Sequence, residues 1–199
     1  MTTRAEAAAE TRRRILQATV DEHSERRVAD ISLGDIAARA GVSVQTVLRH
    51  FGSRSGLVEE AMVFGQSQVM EERSTPAGDV SAAVRTLVDH YERDGATALL
   101  MLAQEDTEPL MARITSEGKL LHRTWVSDVF APYLPPVGRR RDELVDLLVV
   151  ATDVYAWKLL RRDRGLSRSD TENRISSLVR AVLADNRPTD RPDTREGTP

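Results

Sequence analysis

The side chains best suited to chemistry lie in a short basic window, and the chemistry they favour is contact with a polyanion. Residues 36–58 contain no Asp or Glu, although the chain has 31 acidic residues in 199, and an average window of this length would hold roughly three or four. The charged residues in the window are Arg39, Arg49 and Arg54. Arginines without neighbouring acids suit phosphate groups. An ordinary helical hairpin inside a folded core remains the alternative interpretation.

Patterns typical of enzymes and metal sites are not found in the sequence. The four histidines, His23, His50, His90 and His122, are scattered without ligand spacing, and the chain has no cysteine for a disulfide, a thiolate zinc site or a thiol nucleophile. No Gly-rich phosphate loop or nucleophile elbow is present. We therefore expect no catalytic residues, no metal site and no cofactor.

A second group of side chains could line a small-molecule pocket between helices in the remainder of the chain. They are aromatic, Met and His residues at helical spacing, together with one acid inside an apolar stretch. The candidates are Tyr91, Met101, Met111, His122, Trp125, Asp153 and Trp157. Most are expected to be core residues. Asp153 needs a polar partner if it is buried, either a structural ion pair or a ligand.

The basic window is framed by start and stop signals for two short helices. Ser32 and Asp35 form a capping-box pattern, and Gly41 is the residue best able to stop the first helix in a left-handed conformation. Ser43 then opens the second helix. The pattern is a helix-turn-helix, in which the second helix enters the DNA major groove and the first lies across it.

These residues also carry a family resemblance. The segments ILQATVDEHSE and ISLGDIAARAGVSVQTVLRHFGSRSGLVEEAM, within about Arg12 to Met62, resemble the DNA-binding domain of the TetR family of bacterial transcriptional regulators in order and spacing. The resemblance implies base contacts from Val44, Gln45 and Arg49 and phosphate contacts from Thr46, His50, Arg54 and the helix start at Ser32. The whole predicted DNA-binding set is Ser32, Leu33, Val44, Gln45, Thr46, Leu48, Arg49, His50 and Arg54.

Two departures from the family pattern fall within this set. Leu48 occupies the position where the family usually has a Tyr that contacts a phosphate, and Arg54 replaces the usual Lys. The missing hydroxyl removes one expected backbone contact. Upstream, the cluster Arg12 to Arg14 is either a solvated helix start or, as the resemblance implies, part of an arm that touches phosphates or the minor groove.

Only helical periodicity is found along the chain, which predicts an all-α fold of about nine helices. The predicted domains are an N-terminal three-helix DNA-binding domain at 1–60, a larger ligand-binding and dimerisation domain at 61–186, and a disordered tail at 187–199. A helix from Arg54 to about Glu72 crosses the first boundary. Further on, we expect a stop at Gly95 and a possible bend at Gly118.

The last two predicted helices, about 140–162 and 170–185, are the strongest sign of a partner. The first is apolar around its whole circumference and must be covered on all sides. The second is expected to open with a capping box at Ser169 and Glu172. In the resembled family these helices pair between subunits as a four-helix bundle, which implies a two-fold homodimer. A monomer whose apolar stripe packs internally is the alternative.

Composition limits the remaining function classes. The net charge of −3 argues against a generic basic coat protein, so any DNA contact must be local. The longest apolar run is far too short to span a bilayer, and no signal peptide is evident, so we expect a soluble cytoplasmic protein without membrane partners.

The resemblance implies a repressor that binds a pseudo-palindromic operator as a homodimer and is released by a small-molecule effector. A DNA-binding regulator without a small-molecule ligand, whether architectural or controlled by another protein, is the main alternative. An all-α enzyme or carrier with an incidental helix-turn-helix is the third.

Overall fold

The computed structural model describes residues 3–185 and confirms the all-α prediction, since this part of the chain contains nine α-helices and no strand. The predicted tail at 187–199 lies outside the described residues. The helices are α1 Arg4–Glu25, α2 Leu33–Ala40, α3 Val44–Phe51, α4 Arg54–Glu72, α5 Val80–Leu102, α6 Pro109–Val129, α7 Arg139–Ala151, α8 Val154–Lys158 and α9 Arg168–Asp185.

The predicted signals for the short helices are confirmed. The Ser32 side chain accepts a hydrogen bond from the Asp35 N–H at 3.2 Å, and the Asp35 carboxylate accepts from the Ser32 N–H at 2.8 Å. Gly41 ends α2 in the left-handed region, with φ 65° and ψ 38°. Ser43 then caps α3 by accepting from the Thr46 N–H at 3.2 Å. Local backbone chemistry thus sets the geometry of the helix-turn-helix.

The helix-turn-helix rests on its own hydrophobic cluster. Ile15 from α1, Ile36 from α2 and Val47 from α3 are all fully buried there. Leu57, at the start of α4, closes the same cluster. The helix α4 continues without interruption past residue 60 to Glu72. The domain boundary predicted near residue 60 therefore stays a prediction.

A second, larger cluster holds α5 to α9 together. Here the predicted helix stop at Gly95 is wrong. The helix α5 passes through Gly95, whose Cα lies so close to the Trp157 ring that an added Cβ would be 2.6 Å from Cζ3. The glycine at this position therefore allows the Trp157 ring to pack closely against α5, and it does not stop the helix. The helix α6 is not interrupted at Gly118, and a bend at that position stays a prediction.

The single apolar helix predicted at about 140–162 is also wrong, because it is divided at Thr152. Helix α7 ends at Ala151, and Asp153 caps α8 by accepting a hydrogen bond from the Tyr155 N–H at 2.8 Å. A π-helical segment, Leu159–Asp163, continues α8. Asp153 is therefore a half-buried capping residue and not an acid inside a continuous apolar helix.

The capping box predicted at Ser169 and Glu172 is wrong, because the last helix is capped two residues earlier. The Ser167 hydroxyl accepts from the Asp170 N–H at 3.1 Å, and α9 begins at Arg168. Ser169 and Glu172 therefore lie inside the helix.

None of the helices in residues 3–185 combines the length and the apolar character that crossing a membrane requires.

Candidate nucleic-acid interface

Helix α3 has one buried face and one exposed face, as expected for an amphipathic helix. Val47 and Phe51, four residues apart, are buried against the N-terminal cluster. The opposite side of α3 faces solvent, and Val44 and Leu48 are each 39% exposed there. The remaining exposed side chains of the helix are Gln45 and Arg49. This outward side is the candidate interface.

Two exposed side chains of α3 have no polar partner within the described residues. Within residues 3–185, neither Gln45 nor Arg49 makes a side-chain hydrogen bond or an ion pair. The Thr46 hydroxyl, by contrast, lies 3.0 Å from that of Ser43 at the helix start. His50 is half-buried near the other end of α3. The unpaired donors are therefore concentrated on the exposed side of the helix.

Sequence analysis missed the residue that anchors the end of α3. Arg12 of α1 donates from Nη1 to the His50 carbonyl oxygen at 2.8 Å, and its guanidinium lies 4.4 Å from the centre of the Phe51 ring. Arg12 also pairs with Glu60 of α4. It holds three helices in a fixed relation, so at least this arginine of the N-terminal cluster has a structural contact. No local pattern links residues so far apart in sequence.

One of the three arginines in the basic window, Arg39, is paired with acidic residues of α1. Its Nε lies 2.9 Å from Glu22 Oε1, and its Nη1 donates to Glu25 Oε1 at 3.0 Å. The hydrogen bond from Arg39 lowers the pKa of Glu25 below its ordinary value. Arg39 therefore joins α1 to α2, and its charge is paired with acidic residues that precede the window in sequence.

Arg54 is also engaged within the fold. Its Nη2 donates to the carbonyl oxygen of Ile31 at 3.0 Å, which ties the start of α4 to the segment before α2. Ser32 is exposed at the start of α2, and its hydroxyl donates to Asp35 at 2.7 Å, while Leu33 is half-buried. The phosphate contacts assigned to these positions stay predictions.

The candidate ligand-binding residues are mostly buried, and three of them, Tyr91, Trp125 and Trp157, belong to the second cluster. Tyr91, Met111, His122, Trp125 and Trp157 are buried, whereas Met101 and Asp153 are half-buried. Their polar atoms are already partnered inside the protein. The Tyr91 hydroxyl donates to the Thr152 carbonyl at 3.0 Å, and the Trp157 indole N–H donates to Glu92 at 2.9 Å. Their predicted role as ligand contacts stays a prediction.

Two surface pockets in the described residues lie away from these candidates. One, of about 380 Å³, lies between α1 and α2 and includes Arg14 and Gly41. The other, of about 470 Å³, lies between the end of α8 and α9 and includes Leu160 and Arg174. Neither is lined by any residue of the predicted ligand-binding set.

A buried arginine without a carboxylate partner was also missed. Arg73, at the end of α4, is 6% exposed, and its guanidinium lies 4.4 Å from the centre of the Trp125 ring. Its Nη2 lies 2.8 Å from His122 Nδ1, and its Nε is buried without a hydrogen-bond partner. Burial, and then the charge of Arg73, lower the pKa of His122 to about 3.

One group of side chains within residues 3–185 has the proximity of a cation site. Glu72, His90 and Asp94 place their ligand atoms within 4.8 Å of one another where the end of α4 meets α5. The sequence expectation of no metal site rested on the spacing of the histidines from one another. A histidine with an aspartate four residues later was the available signal.

Comparisons with known proteins agree with this geometry. Residues 15–61 match the family model described as bacterial regulatory proteins, tetR family. A 51-residue stretch is 41% identical to the HTH-type transcriptional regulator BetI 1 of Chromohalobacter salexigens, and the match covers 26% of this chain and 25% of that protein. The chain therefore matches about a quarter of the length of this curated relative.

Solved structures match over most of the chain. A transcriptional regulator from Rhodococcus sp. Rha1 has a TM-score of 0.65 at 20% identity, covering 87% of this chain and 96% of its own. A putative TetR-family regulator from Mesorhizobium loti has a TM-score of 0.61 at 20% identity, covering 92% and 98%. A tetR-family regulator from Streptomyces coelicolor has a TM-score of 0.64 at 18% identity and covers 92% of both chains. At these identities the likeness shows the shared fold.

Proposed function

This chain belongs to the TetR family of bacterial transcriptional regulators, and on that premise we propose that it is a homodimeric repressor released from its operator by an effector. The observation that carries the proposal is the exposed side of α3, where Gln45 and Arg49 have no partner within residues 3–185. In a major groove, Arg bonds guanine and Gln bonds adenine through paired hydrogen bonds, each worth about 1–3 kcal/mol of discrimination.

Contacts from neighbouring helices that hold α2 and α3 in position support this role for α3. Arg12 holds the carbonyl end of the helix, and Arg39 fixes α2 against α1. A reading helix needs this kind of support, because base recognition depends on side chains held in a fixed position. Both arginines act here by positioning α2 and α3.

The dimer proposal is supported by exposed apolar side chains on the last helices. Val150 of α7 is 67% exposed, and Leu159, in the π-helical continuation of α8, is 59% exposed. Further exposed residues of these elements are Leu147, Tyr155 and Leu178. A second copy would cover them, since large exposed apolar patches typically mark interfaces. A two-fold dimer would then read a pseudo-palindrome whose half-sites are about 34–36 Å apart, or a multiple of that distance.

Release would follow from a shift between two arrangements of the dimer. To move the protein almost wholly from one to the other, an effector must prefer the non-binding arrangement by about 10⁴-fold, or about 5.5 kcal/mol. The closed packing of the predicted ligand-binding side chains favours a second candidate, a DNA-binding regulator that answers to no organic ligand and is architectural or protein-regulated. In that case no organic compound would change operator affinity.

The experiment that tests the proposal is selection of DNA from random fragments by the purified full chain. We expect enrichment of a pseudo-palindrome. Arg49→Ala should lower affinity for it and relax base preference at one position of each half-site, whereas Arg54→Ala should weaken all sequences and reduce the salt slope by about one. The exposed Arg140→Ala, on α7, is the control and should bind as the wild type does. No enrichment at low salt would contradict the proposal.

A further inference from the structure

Three potential metal ligands meet where α4 ends beside α5. Glu72 is the last residue of α4, and His90 and Asp94 lie one turn apart on α5. The His90 Nδ1 atom is 3.3 Å from Asp94 Oδ2 and 3.8 Å from Glu72 Oε2. Metal bonds of about 2.0–2.2 Å place neighbouring ligand atoms roughly 3–4 Å apart. One ion could therefore contact all three atoms with little movement of the backbone.

The Nδ1 atom of His90 has no well-aligned hydrogen bond, although a carboxylate oxygen of Asp94 lies 3.3 Å from it. His90 is 7% exposed, and Nδ1 is buried beside two carboxylates. Buried polar atoms in folded proteins are nearly always partnered, because an unpaired one loses its hydration without compensation. A metal ion between the ring and the carboxylates would bind the lone pair of Nδ1.

The cluster holds a competing cation in this structure. Arg93 Nη2 lies 2.5 Å from Glu72 Oε2, and Arg93 Nε lies 3.8 Å from Asp94 Oδ2. These are the same two oxygen atoms that face His90. The Arg93 side chain is 52% exposed, so it can swing into solvent when another cation takes the carboxylates.

We propose that Glu72, His90 and Asp94 form a binding site for a first-row divalent transition-metal ion such as Zn²⁺. One imidazole nitrogen with two carboxylate oxygens suits this class of ion. Glu72 and Asp94 are each 46% exposed, which leaves room for water as a further ligand. The alternative is that the cluster is an ion-pair network without a metal ion.

The ion would connect the two parts of the regulator. Near its start, helix α4 contributes Leu57 to the N-terminal hydrophobic cluster, and it ends at Glu72. His90 and Asp94 lie on α5, a helix of the larger C-terminal cluster. Bound metal would therefore fix α4 against α5 and set the position of the helix-turn-helix. This regulatory part rests on the proposed function, whereas metal binding itself does not.

Metal binding is tested on the full chain after removal of metals by a chelator. Titration with Zn²⁺ by calorimetry, and with Co²⁺ by visible absorption, should show one ion per chain. Glu72→Gln and Asp94→Asn change half-exposed side chains and should preserve the fold, yet each should weaken binding at least about ten-fold. His90→Gln should abolish the imidazole contribution to the Co²⁺ spectrum.

Two further variants sharpen the result. Glu71→Gln removes an adjacent exposed acid outside the cluster and should bind Zn²⁺ as the wild type does. Arg93→Gln removes the competing cation and should tighten binding several-fold by the same electrostatics. No saturable uptake, or equal affinity in the wild type, Glu72→Gln and Asp94→Asn, would overturn the site.

Operator affinity measured with and without Zn²⁺ tests the regulatory part. We expect at least about a five-fold change in the wild type and none in Asp94→Asn. Unchanged wild-type affinity despite metal uptake would overturn the coupling. Failure of the wild type to bind DNA under either condition would instead contradict the proposed function, and the titration would still decide the metal site.

Discussion

Nη2 of Arg73 and Nδ1 of His122 are 2.8 Å apart in the interior of the C-terminal helices. Arg73 can only donate, so Nδ1 must accept and the imidazole must be neutral. The other nitrogen, Nε2, lies 3.1 Å from the hydroxyl of Thr152, which itself donates to the Leu148 carbonyl at 2.7 Å. A chain of polar contacts thus joins the end of α4 to the end of α7.

This chain of contacts predicts a loss of stability in acid. Burial lowers the pKa of His122 from 6.5 to about 3. Between pH 3 and pH 6.5, His122 is therefore protonated in the unfolded chain and neutral in the folded chain. The free energy of unfolding should fall as pH drops through this window, by up to about 1.4 kcal/mol per pH unit, and should not change through His122 above pH 7.

Urea denaturation of the wild type and His122→Gln between pH 4 and pH 8 measures that contribution, since the amide retains polar atoms but does not titrate. The difference between the two proteins should shrink as the pH falls. A difference that is constant across the range would show that His122 is not held neutral.

A pair of glycine substitutions tests the packing of α5. Gly95→Ala should lower the free energy of unfolding by about 1–3 kcal/mol, because the new Cβ would lie 2.6 Å from a Trp157 ring atom. Gly118→Ala in α6 is the matched control. Its Cβ would meet nothing within 4 Å, so higher helix propensity should stabilise the protein by up to about 1 kcal/mol. Equal effects in urea denaturation would contradict the close approach.

The exposed apolar side of the last helices should control oligomeric state. Val150→Glu should give monomers of 22.1 kDa in sedimentation at micromolar concentration, because a charge would be buried in the proposed dimer. Leu120→Glu changes a side chain on α6 that is similarly exposed, at 65% against 67% for Val150, and should leave the dimer intact. A wild type that sediments only as a monomer would remove the dimer proposal.

The family difference at Leu48 predicts a gain of affinity. Leu48 is 39% exposed on the outward side of α3, so Leu48→Tyr has room to add the hydroxyl that the family resemblance implies for a phosphate contact. One added hydrogen bond should strengthen operator binding by about 1 kcal/mol, roughly five-fold, for all sequences alike. Leu48→Phe supplies the ring without the hydroxyl and should give no such gain in a mobility-shift titration. Equal affinity of the two variants would contradict the phosphate contact.

The sequence by itself determined the features that depend on residues within one or two helical turns. The Ser32–Asp35 capping box, the left-handed Gly41 and the Ser43 cap were all predictable, because each joins a side chain to nearby backbone. The same kind of local pattern predicted an all-α fold. The prediction at Gly95 was wrong, because the sequence alone does not distinguish a glycine that stops a helix from one that lies against a side chain of another helix, here Trp157.

Only the tertiary structure decided which charged residues are available and which are paired. Arg49 remains free while Arg39 bonds Glu22 and Glu25 of another helix, although the two arginines stand in the same acid-free window. Arg12 reaches His50 across the N-terminal domain, and the end of α4 brings Glu72 to His90. Such contacts depend on how separate helices pack, and the interaction of two charges depends on a distance in space that sequence separation does not determine.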